Sequence, residues 1–231
     1  MKKENDSLKQ GNLIEDEYNQ SWEICNEFDN NPLYEYKTIN VSKLKARPNT
    51  YSAIQRVIDS GMKTNIHFIY SKITHNRAMD ILKGKDVWKG KVDIDRLNAV
   101  IFLLFKPQGS GRNLMEWIPT KYQLKTFGIK ILHPESKFKV GMDSCLANHV
   151  LQYEEATPFQ AMSIDTCEAA RMSGYITPDM KFKPCSFADS SSEVNLKGTN
   201  IEKIWNTSHV FKGFRNHLMN NKMSCPIGFQ E

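Results

Sequence analysis

Apolar residues recur at helical spacing from Leu13 to Phe28, where Ile14, Tyr18, Trp22, Cys25 and Phe28 share one stripe. The spacing predicts a helix and places Cys25 in its buried seam as a core thiol. An extended piece follows, Tyr36 to Val41. Thr50 to Ser60 reads as a second helix, with Tyr51, Ile54, Val57 and Ile58 turned inward and Gly61 as its stop. Lys63 to Tyr70 is β-branched and aromatic at strand length, and Asn76 to Leu82 is a helix closed by Gly84. Leu97 to Phe105 is nearly continuous in apolar residues, as in a parallel strand covered on both faces. A glycine-bearing loop, Lys106 to Arg112, leads to a helix at Thr120 to Phe127, then Gly128 and a strand at Ile129 to Leu132.

Strands that alternate with helices predict βαβ units and a parallel sheet. Sites in such sheets lie at the carboxyl ends of the strands. Tyr70-Ser71, Lys106 and Asp143 to Cys145 fall at those ends.

After Leu151 the pattern changes. A helix is expected around Phe159 to Met172, followed by a hairpin whose two short strands flank a Pro178-Asp179 turn and end at Cys185. Asp189 to Ser192 reads as a polar loop. Asn200 and Ser208 are placed as N-caps for helices at Ile201 to Trp205 and Val210 to Leu218. The organisation expected is an N-terminal helical segment (1–34), a parallel α/β region (35–150) and a C-terminal module (151–231).

Composition narrows the class. The 231 residues, 40% hydrophobic and 25% charged, suit one ordinary core with a small appended module. The longest apolar run, Ala99 to Phe105, is far too short for a membrane span. The charged start, Met-Lys-Lys-Glu-Asn-Asp, lacks a secretory pattern, so a cytoplasmic location with reduced thiols is expected. The net charge of +5 comes from lysines spread along the whole chain, which reads as a solvated surface and not a direct nucleic-acid face.

Four of the five cysteines, Cys145, Cys167, Cys185 and Cys225, fall in the C-terminal part, each in a setting that suits a ligand. Four thiolates meet the requirement of an iron–sulfur cluster or a structural zinc. No Cys-x-x-Cys pair is present, so the fold itself would have to gather them. A [4Fe–4S] cluster, a zinc ion, or a set of reduced half-buried thiols are the three readings of this set.

The neighbouring residues carry a resemblance. Cys167, Gly174-Tyr-Ile-Thr-Pro-Asp-Met-Lys-Phe-Lys-Pro-Cys185, Ile201-Glu-Lys-Ile-Trp205, Phe211 with Arg215, and Cys225 resemble the SPASM or twitch region of radical S-adenosylmethionine enzymes. Upstream, Gly61 to Tyr70, Leu97 to Pro107 and Lys139 to Cys145 look like the later strands of that family's partial barrel. The resemblance implies an α/β fold, a partial (β/α) barrel carrying a hairpin-and-helix cysteine module. It also implies an auxiliary [4Fe–4S] cluster on Cys145, Cys167, Cys185 and Cys225, and a part in radical modification of a peptide, protein or small molecule. Asn65 and His67, which alternate along one strand face, and Ser71 and Lys106 at strand ends would meet cofactor or substrate.

The chain departs from the family in its defining motif. Only Cys25 precedes Cys145, so the Cys-x3-Cys-x2-Cys cluster that cleaves S-adenosylmethionine cannot be built here, and the glycine-rich motif for that cofactor has no counterpart. Met180 stands where the family's turn has glycine. An N-terminal half, or a partner subunit carrying the radical cluster, is therefore implied, and S-adenosylmethionine would bind only with it. The competing expectation is a catalytically inert zinc module on a truncated α/β domain.

Weaker candidates complete the set. His67 also suits a hydrogen-bonded core position, Lys106 and Arg112 could meet a carboxylate or phosphate, and Asp143 suits a helix cap. Met62, Met79 and Met115 are expected to fill core gaps.

Overall fold

The computed structural model describes residues 50–153, 155–221 and 225–226. The expected helix at Leu13 to Phe28, with Cys25, and the extended piece at Tyr36 to Val41 lie outside them. The described residues fall into two compact units, 50–64 with 88–93, and 65–87 with those from 94 onward.

In the first unit, α1 (Thr50–Asp59) ends as its sequence requires: Gly61 takes φ +80° and donates its N–H to the Ile58 carbonyl at 3.0 Å. Ile58 is buried, whereas Val57, expected inward, is 37% exposed. The Gln55 side chain accepts from the Asp93 N–H at 2.7 Å, and Lys91 lies over the Tyr51 ring.

The second unit holds a parallel sheet of β1 (Asn65–Tyr70), β2 (Ala99–Leu104) and β3 (Lys139–Met142), in that order. Asn65 pairs with Ala99 and Tyr70 with Leu104; Ala99 pairs onward with Lys139 and Phe102 with Met142. The crossovers run through α2 (His75–Leu82) and α3 (Lys121–Leu132), followed after β3 by α4 (Ser144–Val150), and each helix packs on the next. Alternation decides the burial. Phe68 and Tyr70 of β1 and Val100, Phe102 and Leu104 of β2 are buried, and the Tyr70, Phe102 and Phe127 rings meet at 4.1 and 5.2 Å between centroids. The opposite face is more open: Asn65, His67 and Ile69 are exposed, and Ile101 and Leu103 are half-buried. β2 is thus buried on one face and buried to half-buried on the other, at Ala99, Ile101 and Leu103. Among the described residues the sheet has three strands and does not close into a barrel.

Two further expectations are corrected. Ile129 to Leu132 is not a strand but the last turn of α3. Thr120 and Gln123 start this helix with a capping box, and Gly128 does not stop it. That glycine is there for packing: a Cβ on it would stand 3.0 Å from Val150 Cγ1. The helix expected at Phe159 to Met172 shrinks to α5 (Pro158–Ala161), which leaves Phe159 and Met162 exposed. Beyond it the chain turns so that the Arg171, Met172 and Ser173 N–H groups all donate to the Glu168 carbonyl, and Ala170 takes φ +57°. Met62 and Met115 are likewise exposed instead of filling gaps.

The hairpin is present, as β4 (Tyr175–Ile176) antiparallel to β5 (Lys181–Lys183), and a third strand, β6 (Val194–Asn195), extends it. Helices α6 (Ile201–Thr207) and α7 (His209–Asn220) follow, with Asn200 accepting from the Lys203 N–H and Ser208 from the Val210 N–H. Ala170, Phe182, Leu196, Ile204 and Phe211 form the core beneath these elements. Among the described residues no helix is long and apolar enough to cross a membrane.

Candidate metal centre

The four C-terminal cysteines arrive from four separate elements. Cys145 is the second residue of α4, and Cys167 precedes the Glu168 turn. Cys185 follows β5 and the fully buried Pro184, and Cys225 lies beyond α7. All four line one pocket, together with Lys106, Asn148, Ala169, Phe187, Phe214 and Pro226. The cavity they enclose is small, about 20 Å³. The walls are thus sulfur and carbon with two nitrogen-bearing side chains.

Each wall has a local cause. Asp143 caps α4 by accepting from the Leu146 N–H at 2.8 Å, which fixes Cys145 in the first turn. The other oxygen of Asp143 accepts from Lys106 Nζ at 2.7 Å, and that ammonium also lies 4.5 Å from the centre of the Phe187 ring. The Phe187 N–H donates to Cys185 Sγ at 3.4 Å, so this sulfur already accepts a backbone bond. Cys167, Ala169 and Leu218 pack with Cys185 and Phe214 as the apolar floor.

Asn148, 1% exposed, completes the enclosure. Its Oδ1 accepts from the Cys167 N–H at 3.1 Å, which orients the amide. Its Nδ2 is buried and reaches no acceptor at hydrogen-bonding distance among the described residues. Burial raises the Cys145 thiol to about 12, against the nearby Lys106 charge, which lowers it. Burial raises Cys167 as well, partly offset by the Ala169 N–H and the Asn148 amide. Both thiols are therefore protonated at neutral pH, and a metal must displace those protons to be bound.

No three His, Cys, Asp or Glu side chains among the described residues are gathered closely enough to hold a single metal ion. A tetrahedral zinc with sulfur at 2.3 Å would need its four thiolates about 3.8 Å apart. A cubane cluster takes each thiolate on a different iron, so its ligands stand farther apart around a larger space. The donor set of four soft sulfurs and the orphaned Asn148 donor suit the chemistry of such a cluster.

The residues expected to meet cofactor or substrate separate into three places. Lys106 lies in the cysteine pocket, not on the sheet face with His67. Ser71 is buried and engaged locally: its N–H donates to Thr74 Oγ1 at 2.9 Å, and its hydroxyl accepts from the Thr74 N–H. Asn65 and His67 stand exposed on β1, where Asn65 Oδ1 accepts from Asn98 Nδ2 at 2.6 Å. Sequence reasoning overlooked Asn148 and Phe187. The signal for Asn148 was its spacing, since the third residue after Cys145 on a helix shares its face.

No family model matches the chain, and neither the curated proteins nor the solved structures contain a significant match to it. The resemblance to radical S-adenosylmethionine enzymes therefore stands on the residues of this chain alone.

Proposed function

We propose that this chain is the C-terminal portion of a radical S-adenosylmethionine-type enzyme and holds an auxiliary [4Fe–4S] cluster through Cys145, Cys167, Cys185 and Cys225. The observation that carries the reading is the placement of these four cysteines, from four separate elements, on the walls of one pocket. Four thiols are the donor set that such a cluster takes. The sheet supports the same reading. Three parallel strands in sequential order, joined by helices that pack side by side, are the arrangement from which singly wound barrels are built.

When bound, the cluster supplies one-electron chemistry. The chain's own residues then have distinct tasks. Cys145, Cys167, Cys185 and Cys225 would hold the cluster through four thiolates, a full set that would favour electron relay over direct anchoring of substrate. Asp143 sets the Cys145 helix and holds Lys106, whose positive charge at the pocket favours the thiolate form of Cys145. The Phe187 N–H supports the Cys185 sulfur. Asn65 and His67, on the open face of β1, belong to the wall that would meet a peptide, protein or small-molecule substrate. A separate N-terminal half carrying Cys-x3-Cys-x2-Cys would bind S-adenosylmethionine and generate the radical.

Replacing Cys185 with alanine tests the ligand set. The full chain, isolated without oxygen, should lose its brown chromophore and most of its iron in Cys185→Ala. An unchanged iron content in that variant contradicts the assignment.

A further inference from the structure

We infer that Asn148 is a built-in hydrogen-bond donor to the sulfur of the bound cluster and sets its reduction potential. This rests on the cluster reading above. The first observation is geometric: a side-chain amide, 1% exposed, lines the pocket of the four cysteines with its Nδ2 lacking any acceptor among the described residues. A buried amide N–H without a partner is destabilising, so such a group calls for an acceptor.

The orientation is determined by the chain itself. The Cys167 N–H can only donate, so the amide oxygen must face it and the NH2 group must face away. The second observation is the character of the wall. The pocket's remaining side chains are cysteines, aromatic rings, Ala169, Pro226 and Lys106, and the ammonium of Lys106 is a donor already bonded to Asp143. Among the side chains of this pocket the acceptors are therefore sulfur.

The consequence follows from charge. Reduction adds an electron to the cluster and makes its sulfurs better acceptors, so an N–H donor stabilises the reduced form and raises the potential. Asn148 also supplies the acceptor that holds the Cys167 backbone, so one side chain both places a ligand and tunes it.

The test uses the full chain reconstituted with iron and sulfide, as wild type and as Asn148→Leu, a replacement of similar volume that has no donor. The expected result is equal iron and sulfide content with a more negative reduction potential in the variant. Equal potentials in two fully loaded proteins overturn the inference while leaving the cluster reading intact. If Asn148→Leu fails to fold or load, wild type labelled with 15N-asparagine decides. A 15N hyperfine coupling to the reduced cluster, replaced by a 14N coupling in unlabelled protein, supports the inference, and its absence overturns it. A wild-type chain that takes up no iron and sulfide overturns the cluster reading and this inference with it.

Discussion

Met180 holds a left-handed backbone, φ +62°, at the turn between β4 and β5, with a side chain 52% exposed. An L-residue pays about 1 kcal/mol for that conformation, and a half-exposed methionine returns little of it in packing. Met180→Gly should therefore raise the unfolding free energy by up to about 1 kcal/mol, whereas Met180→Ala, which keeps the Cβ, should give none of that gain. Denaturant titration of the pair checks this, and equal stabilities of the glycine and alanine variants would contradict it. Gly174 is the opposite case: a Cβ there would lie 2.5 Å from Phe182 Cε2, inside the module's core. Gly174→Ala should destabilise by about 1–3 kcal/mol, the usual range for overpacking, and a melting temperature equal to wild type would show that Phe182 moves freely.

His75 supplies the pH dependence at this scale. Burial lowers its pKa, and it bonds the Tyr70 hydroxyl, which itself donates to the Gln123 carbonyl. The unfolded chain binds the proton first as pH falls, so stability is full above about 6.5 and declines below it. His75→Gln should flatten the decline measured between pH 7.5 and 5.5. An unchanged slope would place the dependence elsewhere.

At the scale of elements, the C-terminal module is fastened by Arg215 of α7. Its guanidinium donates to the Ala170 carbonyl at 3.0 Å and to the Trp205 carbonyl at 2.8 Å, and it lies over the Trp205 ring. One side chain thus joins the Cys167 turn, α6 and α7. Arg215→Met keeps the stem but drops both charge-assisted bonds, at an expected cost of about 2–3 kcal/mol. Arg215→Lys should recover only part, because an ammonium cannot reproduce the fork. A thermal scan showing full recovery in the lysine variant would refute the two-carbonyl role.

Elements were legible in the sequence where a local signal agreed with the packing. The Asn200 and Ser208 caps, the Gly61 and Gly84 stops and the Pro178-Asp179 turn all act over a few residues, and the structure has each of them. Gly128 misled because its role is set by Val150 across the helix interface, which no local pattern records. The Phe159 to Met172 stretch misled because Ala170 adopts a left-handed turn held by tertiary bonds to Pro184 and Arg215. The four cysteines stood out in the sequence by residue type, while only the fold shows that they share one pocket with Lys106 and Asn148.

At the scale of the whole molecule, the cluster reading makes one further demand. Its ligands come from α4, the turn before Ala170, the end of β5 and the tail beyond α7, so a bound group would tie these elements together. Any group bound only by the folded chain stabilises it. Iron, zinc and acid-labile sulfide per chain, measured on the chain isolated without oxygen, decide whether such a group is present. The account predicts about four irons and four sulfides with no stoichiometric zinc, as a [4Fe–4S] centre on four thiolates requires. One zinc per chain without sulfide, or neither metal, would contradict it.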